Sequence, residues 1–375
     1  LPSEPKIFHG RESELAHILD LFSMGTPRIA ILGAGGMGKT SLARAVLHHS
    51  DITTKYEQHR YFVACDIAAS KAELAALIGA LLGLKPGKDL TQAVVQHLSS
   101  GPLCLLILDN LETLWEPSES HRETEEFLSQ LAGVDHLALM ITMRGAERPA
   151  KVQWTRPFVP SLKPLPQDAA RKMLIDIADD RHNPEEVDKV LSLTDNMPLA
   201  ISLLAHLVDS EGCSSVLSRW EREKTTMISE GYDKRDNLDL SISLSLASPR
   251  ITSETGSQEL LSLLSILPDG LSDVELVQSK FPIKNIRRCR AALIRTTLAY
   301  IDEQNRLKTL IPIREYMHRT HPPGDDLIRP LLTHFQELLE FYADHFGTLS
   351  RQAAARISSN YSNIQNVLSH GLQQG

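Results

Sequence analysis

The 375-residue chain carries 39 basic and 47 acidic side chains, a net charge of −8, and 42% hydrophobic residues. That balance supplies two or three buried cores and argues against a broad nucleic-acid or anionic-membrane surface. No apolar stretch approaches the roughly 18 residues of a membrane span, and Cys65, Cys104, Cys213 and Cys289 form neither a CxxC metal knuckle nor a disulfide framework.

Cys65 and Cys104 lie inside apolar runs and read as core thiols, which fits a reducing, cytoplasmic setting. The opening residues Leu1-Pro2-Ser3-Glu4-Pro5-Lys6 have no signal-peptide shape and no starting Met. The chain therefore reads as a segment of something longer.

Strand-like runs alternate with helical ones up to about residue 165. The pattern predicts strands at 28–32, 61–65, 103–108 and 137–142, with a short fifth through Phe158-Val159. Helical patterns lie between, for example 41–47 and 72–84. Continuous apolar strands separated by helices predict a parallel sheet covered on both faces.

Between the first strand and its helix stands Gly33-Ala34-Gly35-Gly36-Met37-Gly38-Lys39-Thr40. It fits G-x-x-x-x-G-K-[ST] in the strand–turn–helix setting such a loop requires. Its glycines let backbone N–H groups turn inward as an anion nest at a helix N-terminus. Lys39 is placed to reach the β- and γ-phosphates, and Thr40 to offer its hydroxyl to Mg²⁺. Gly33, Gly35, Gly36, Met37, Gly38, Lys39, Thr40 and Ser41 make up the expected cradle.

The third strand ends Leu105-Leu106-Ile107-Leu108-Asp109-Asn110. Asp109 is the acid that such a loop needs to hold Mg²⁺ opposite Thr40. A water-activating base usually follows it, but Asn110 cannot accept a proton. Glu112 reads either as a stand-in base or as a solvated loop acid, so hydrolysis is expected to be slow or partner-dependent. The fourth strand ends Thr142-Met143-Arg144, and Arg144 reads either as a γ-phosphate sensor or as a surface Arg.

Pro157, Pro160, Pro164 and Pro166 break the alternation. Beyond them, helical patterns at 168–178, 185–193, 199–208 and 216–228 predict a small bundle, and helices at 237–246 and 259–267 follow. Helices at 273–279 and 285–295 then precede a strand–turn–strand pattern at 298–310, which suggests a winged helix. Helical runs at 326–346 and 351–372 close the chain with no obvious partner. No repeat is apparent.

Together these residues resemble the NB-ARC branch of the STAND signalling ATPases, across nearly the whole chain. Phe8-His9-Gly10-Arg11-Glu12 looks like that family's h-h-G-R-E motif, which implies that His9 and Arg11 lie near the adenine. Residues 33–40 and 105–110 look like its phosphate and magnesium motifs, and Thr142-Met143-Arg144 like its T-x-R sensor. Asn196-Met197-Pro198-Leu199-Ala200 resembles its G-L-P-L-A motif, which implies that Pro198 packs on the adenine ring. The family's M-H-D histidine is missing: Thr309-Leu310-Ile311 stands at the matching place.

The resemblance implies an α/β P-loop nucleotide-binding domain over 1–165, a helical domain over 166–232 and a winged-helix domain over 233–322. Residues 323–375 become a helical linker. It implies a switch of ATP/ADP and Mg²⁺, homo-oligomeric when ATP-bound, and flanked as in fungal NOD-like receptors by an N-terminal effector and C-terminal TPR-type repeats. A second class is a transcription regulator reading DNA through the winged helix, for which Lys284-Asn285-Ile286-Arg287-Arg288-Cys289-Arg290 is the basic candidate against the acidic whole. A GTPase or a small-molecule kinase is a third, but no N-K-x-D guanine motif occurs.

Overall fold

Four apolar runs form a fully parallel sheet: β1 (Arg28–Gly33), β2 (Arg60–Ala64), β3 (Cys104–Asp109) and β4 (Leu137–Arg144), in the order β1-β4-β3-β2. The computed structural model describes residues 1–87, 89–179, 181–223, 238–344 and 356–373. All of β3 and all of β4 but Arg144 are buried, as strands covered on both faces require. Helix Lys39–His48 packs on β1, β3 and β4, helix Lys71–Leu81 on β2, and helix Ser118–Ala132 on β4. The apolar faces of the latter two helices close a core around Leu106, Leu108, Leu139 and Ile141.

The strands begin and end within two residues of the predicted limits, with one correction. No strand forms at Phe158-Val159; the outer side of β1 instead meets the chain at a single parallel bridge, Gly33 to Leu162. Pro157, Pro160 and Pro164 lack the N–H that a ladder needs, so a longer pairing cannot propagate here.

The chain divides into two units. The first comprises Leu1–Ser192 and Asn196–Leu217. Besides the sheet layer it holds helices Gln167–Ala178, Pro184–Ser192 and Pro198–Glu211, each within about one turn of its predicted limits. Helices Gln167–Ala178 and Pro198–Glu211 pack against each other. The α/β layer and the predicted helical domain thus share one unit up to Leu217, and the boundary expected between 232 and 233 lies outside the described residues.

The second unit comprises Leu193–Asp195 and Ser218–Gly375. The strand–turn–strand pattern is present as β6 (Tyr300–Ile301) and β7 (Arg306–Lys308), joined by β5 (Leu271–Ser272) in an antiparallel sheet ordered β5-β7-β6. Helices Gly256–Leu264, Asp273–Gln278, Ile286–Arg295 and Ile311–Thr320 complete this part. Thr309 donates its hydroxyl to Leu298 O at 2.7 Å, and the Asp195 carboxylate accepts the N–H of Ile311.

Helix Tyr361–Gln373, expected to lack a partner, has one. Arg306 donates to Asn360 Oδ1 at 2.6 Å, Asn360 donates to Glu275 Oε1 at 2.6 Å, and Asn363 donates to Gly270 O at 2.8 Å. Asn360 and Asn363 are fully buried, and Asp269 accepts the N–H groups of Ser362 and Asn363 at the helix start. Among the described residues no helix is long and apolar enough to cross a membrane.

Candidate nucleotide site

Strand register builds the site. β1 pairs with β4 so that Gly33 lies beside Arg144, and β3 pairs with β4 so that Asp109 ends next to Thr142. The glycine loop, Asp109 and Arg144 therefore converge at the carboxyl ends of three adjacent strands. That is where open α/β sheets place their ligands.

The loop folds as its glycines dictate. Gly36 has φ +77° and Gly38 has φ +83°, a region that penalises a side chain. Gly38 is the N-cap of helix Lys39–His48, whose first-turn N–H groups and dipole favour an anion. Lys39 is buried, and its Nζ donates to the loop's own carbonyls, Gly33 O at 3.1 Å and Ala34 O at 2.8 Å. Burial pushes the Lys39 ammonium down to about 8, with Arg144 acting the same way and Glu112 and Asp109 opposing. Ser41 follows on the first turn of the same helix.

Asp109 is 1% exposed and accepts from two hydroxyls. Thr40 Oγ1 lies 2.9 Å and 3.0 Å from its two oxygens, and Thr142 Oγ1 lies 2.6 Å from Oδ1. Burial raises its carboxyl above the ordinary range, against the lowering effect of these bonds. Asp109 and Thr40 present hard oxygen donors side by side, a set that suits Mg²⁺. Phosphate oxygens and water would have to complete the shell, since among the described residues no group of three or more His, Cys, Asp or Glu could hold a metal.

Glu112 is neither solvated nor free. It is 9% exposed and opens the short helix Glu112–Trp115. Its Oε1 lies 3.2 Å from Arg144 Nε, and its Oε2 accepts the Arg144 N–H at 3.2 Å. The two residues left with alternative readings in the sequence are thus paired with one another.

Arg11 is 5% exposed and donates to Met37 O at 3.1 Å and to Lys163 O, bracing the phosphate loop from behind. Its Nε has no hydrogen-bond partner, and desolvation lowers the guanidinium from its ordinary value. His9, two residues earlier, instead meets helix Gln167–Ala178, with Nε2 2.6 Å from Asp176 Oδ2.

Pro198 opens helix Pro198–Glu211 about 160 residues after the loop, yet the two meet. Leu199 N–H donates to Gly36 O at 3.1 Å. A Cβ on Gly36 would stand 2.6 Å from Met197 Cε, and one on Gly38 4.0 Å from Pro198 Cγ. Asn196 occupies the left-handed region at φ 56°, where the resembled motif has glycine; Asn tolerates that region better than most residues. Sequence reasoning missed Thr142 as a support for Asp109 and Asp176 as the partner of His9. Neither carries a local signal, because both depend on which segments pack side by side.

A family model described as Novel STAND NTPase 1 matches residues 2–244, well over half of the chain. The chain belongs to this family. No curated protein matches it. Among solved structures, this STAND NTPase is 16% identical to a Walker-type ATPase of Pyrococcus abyssi, covering 85% of this chain and 98% of that one with a TM-score of 0.57. That likeness is one of fold. A STAND protein with a tetratricopeptide repeat sensor from Pyrococcus horikoshii is 17% identical, with 98% of this chain covering 54% of that one and a TM-score of 0.39. The Aeropyrum pernix ORC2 protein is 16% identical over 90% of this chain and 97% of that one, with a TM-score of 0.48.

Proposed function

We propose that this STAND NTPase binds ATP and ADP with Mg²⁺ as a signalling switch of the NB-ARC kind, the core of a NOD-like receptor. In this reading ATP favours a homo-oligomer that activates an attached effector, a repeat array senses the signal, and turnover is slow. Lys39 and the loop amides hold the β- and γ-phosphates, Thr40 and Asp109 hold Mg²⁺, and Arg144 answers to the γ-phosphate. When bound, the ion neutralises phosphate charge. In this reading residues 233–322 take the winged-helix role, which the β6–β7 hairpin following helices Asp273–Gln278 and Ile286–Arg295 supports.

One observation carries the reading: a loop capped by the 196–200 motif stands beside an Asp–Thr pair and an Arg at the ends of adjacent parallel strands. Asn110 cannot act as a base, and both Glu112 oxygens are engaged, which supports slow turnover. The test is mass analysis of nucleotide carried by the purified chain, followed by calorimetry. ATP should bind more tightly than GTP, and Lys39→Ala should weaken ATP by more than about 100-fold. Unchanged ATP affinity in Lys39→Ala would sink the site.

A further inference from the structure

We propose that Glu112 restrains Arg144 and thereby sets how well the site distinguishes ATP from ADP. The proposal rests on the nucleotide-site reading above and assigns Glu112 to ligand discrimination, not to proton abstraction.

The supporting observation is a grip by two oxygens on one residue. Glu112 Oε1 lies 3.2 Å from the Arg144 guanidinium at Nε, and Oε2 accepts the Arg144 main-chain N–H at 3.2 Å. Side chain and backbone of the same arginine are therefore held together. The frame behind Glu112 is fixed to β4 as well. Asn110 N–H donates to Thr142 Oγ1 at 3.0 Å, and Leu111 N–H donates to Thr142 O at 3.0 Å. Each Glu112 oxygen is thus already engaged by Arg144.

Charge explains the consequence. Lys39 feels Arg144, Glu112 and Asp109 electrostatically, so the four groups share one small region. With both acids ionised, their formal charges cancel. ADP meets Lys39 and the loop amides and brings no competitor for Arg144. ATP adds a terminal phosphate, which can engage the guanidinium only by displacing a carboxylate that already holds it. The displaced carboxylate then faces an anion in a partly buried place, which is unfavourable. Glu112 thus weakens ATP binding selectively and favours the diphosphate state.

The experiment is equilibrium titration of the full chain with ADP and with a non-hydrolysable ATP analogue, both with Mg²⁺. Glu112→Gln keeps an acceptor for the Arg144 N–H and removes the charge. Affinity for the analogue should rise about tenfold, and ADP affinity should move by less than about threefold. Arg144→Ala should weaken only the analogue, and most of the Glu112→Gln gain should vanish on that background. An unchanged ratio of analogue to ADP affinity, a loss of analogue affinity, or a gain that survives in full without Arg144 overturns the proposal. Binding of neither nucleotide by the wild type would instead bring down the site reading itself. Thermal melting checks each variant. If Glu112→Gln does not fold, Glu112→Asp, one methylene short of the grip, should shift the ratio in the same direction, and no shift overturns the proposal.

Discussion

The Leu199 N–H donates to the Gly36 carbonyl at 3.1 Å, tying the start of helix Pro198–Glu211 to the crown of the phosphate loop. Gly36 makes that approach possible. At φ +77°, with Met197 Cε 2.6 Å and Leu199 Cβ 2.9 Å from where a Cβ would stand, it admits no side chain without a shift. Gly36→Ala should destabilise the first unit by about 1–3 kcal/mol through backbone strain and overpacking. It should also weaken ADP, because the loop amides move. Thermal melting and calorimetry on the same samples measure both, and an unaltered melting temperature would contradict this packing.

Asp109 is the buried acid that Thr40 and Thr142 both support. Asp109→Asn keeps the size and the acceptor oxygen but removes the charge that Mg²⁺ needs. Binding of ADP without Mg²⁺ should change by less than about threefold, while the improvement that Mg²⁺ gives the wild type should largely disappear. Titrations with Mg²⁺ and with chelator separate the two. A full Mg²⁺ response in Asp109→Asn would move the metal elsewhere.

Lys39 predicts a pH dependence. Its ammonium is pushed down to about 8 in the free protein, chiefly by burial. In the unfolded chain it titrates near 10.5, so between about 8 and 10.5 the unfolded state binds more protons. Stability from this group therefore rises with pH across that window. Binding has the opposite sign, because a phosphate favours the charged lysine. Nucleotide affinity should hold below about pH 8 and fall above it, with proton uptake on binding. Calorimetry at pH 9 in buffers of different ionisation heat should detect that proton, and Lys39→Arg should remove the dependence.

The four strands and the helices were legible because burial on both faces demands long apolar runs, and the phosphate loop because its glycines answer to backbone geometry. What the sequence hid was long-range. Arg11 reaches carbonyls 26 and 152 residues away. The pairing of Glu112 with Arg144 follows from how β3 and β4 end side by side, so each residue alone kept two readings. Apolar Val159 suggests a fifth strand, but the surrounding prolines cannot sustain a ladder. Buried Asn360 and Asn363 leave no apolar period in the sequence, although a hydrogen-bonded polar network buries them as firmly as leucines.

The most demanding prediction concerns Pro198. Its ring stands near Gly38, and Met197 and Leu199 pack on Gly36, so the loop that should hold phosphate and the start of helix Pro198–Glu211 share one structure. A ligand that fixes the loop should therefore slow opening of that helix, by mass action on the closed state. Hydrogen exchange with saturating ADP should show new protection in the loop and in helices Gln167–Ala178 and Pro198–Glu211, which pack together. Pro198→Ala should weaken ADP by about 5- to 20-fold through lost packing, because alanine also suits a first helical turn and the fold should survive. Protection confined to residues before 165 would mean that the helices respond independently of the loop, and the 196–200 segment would then be a helix start with no part in the nucleotide site.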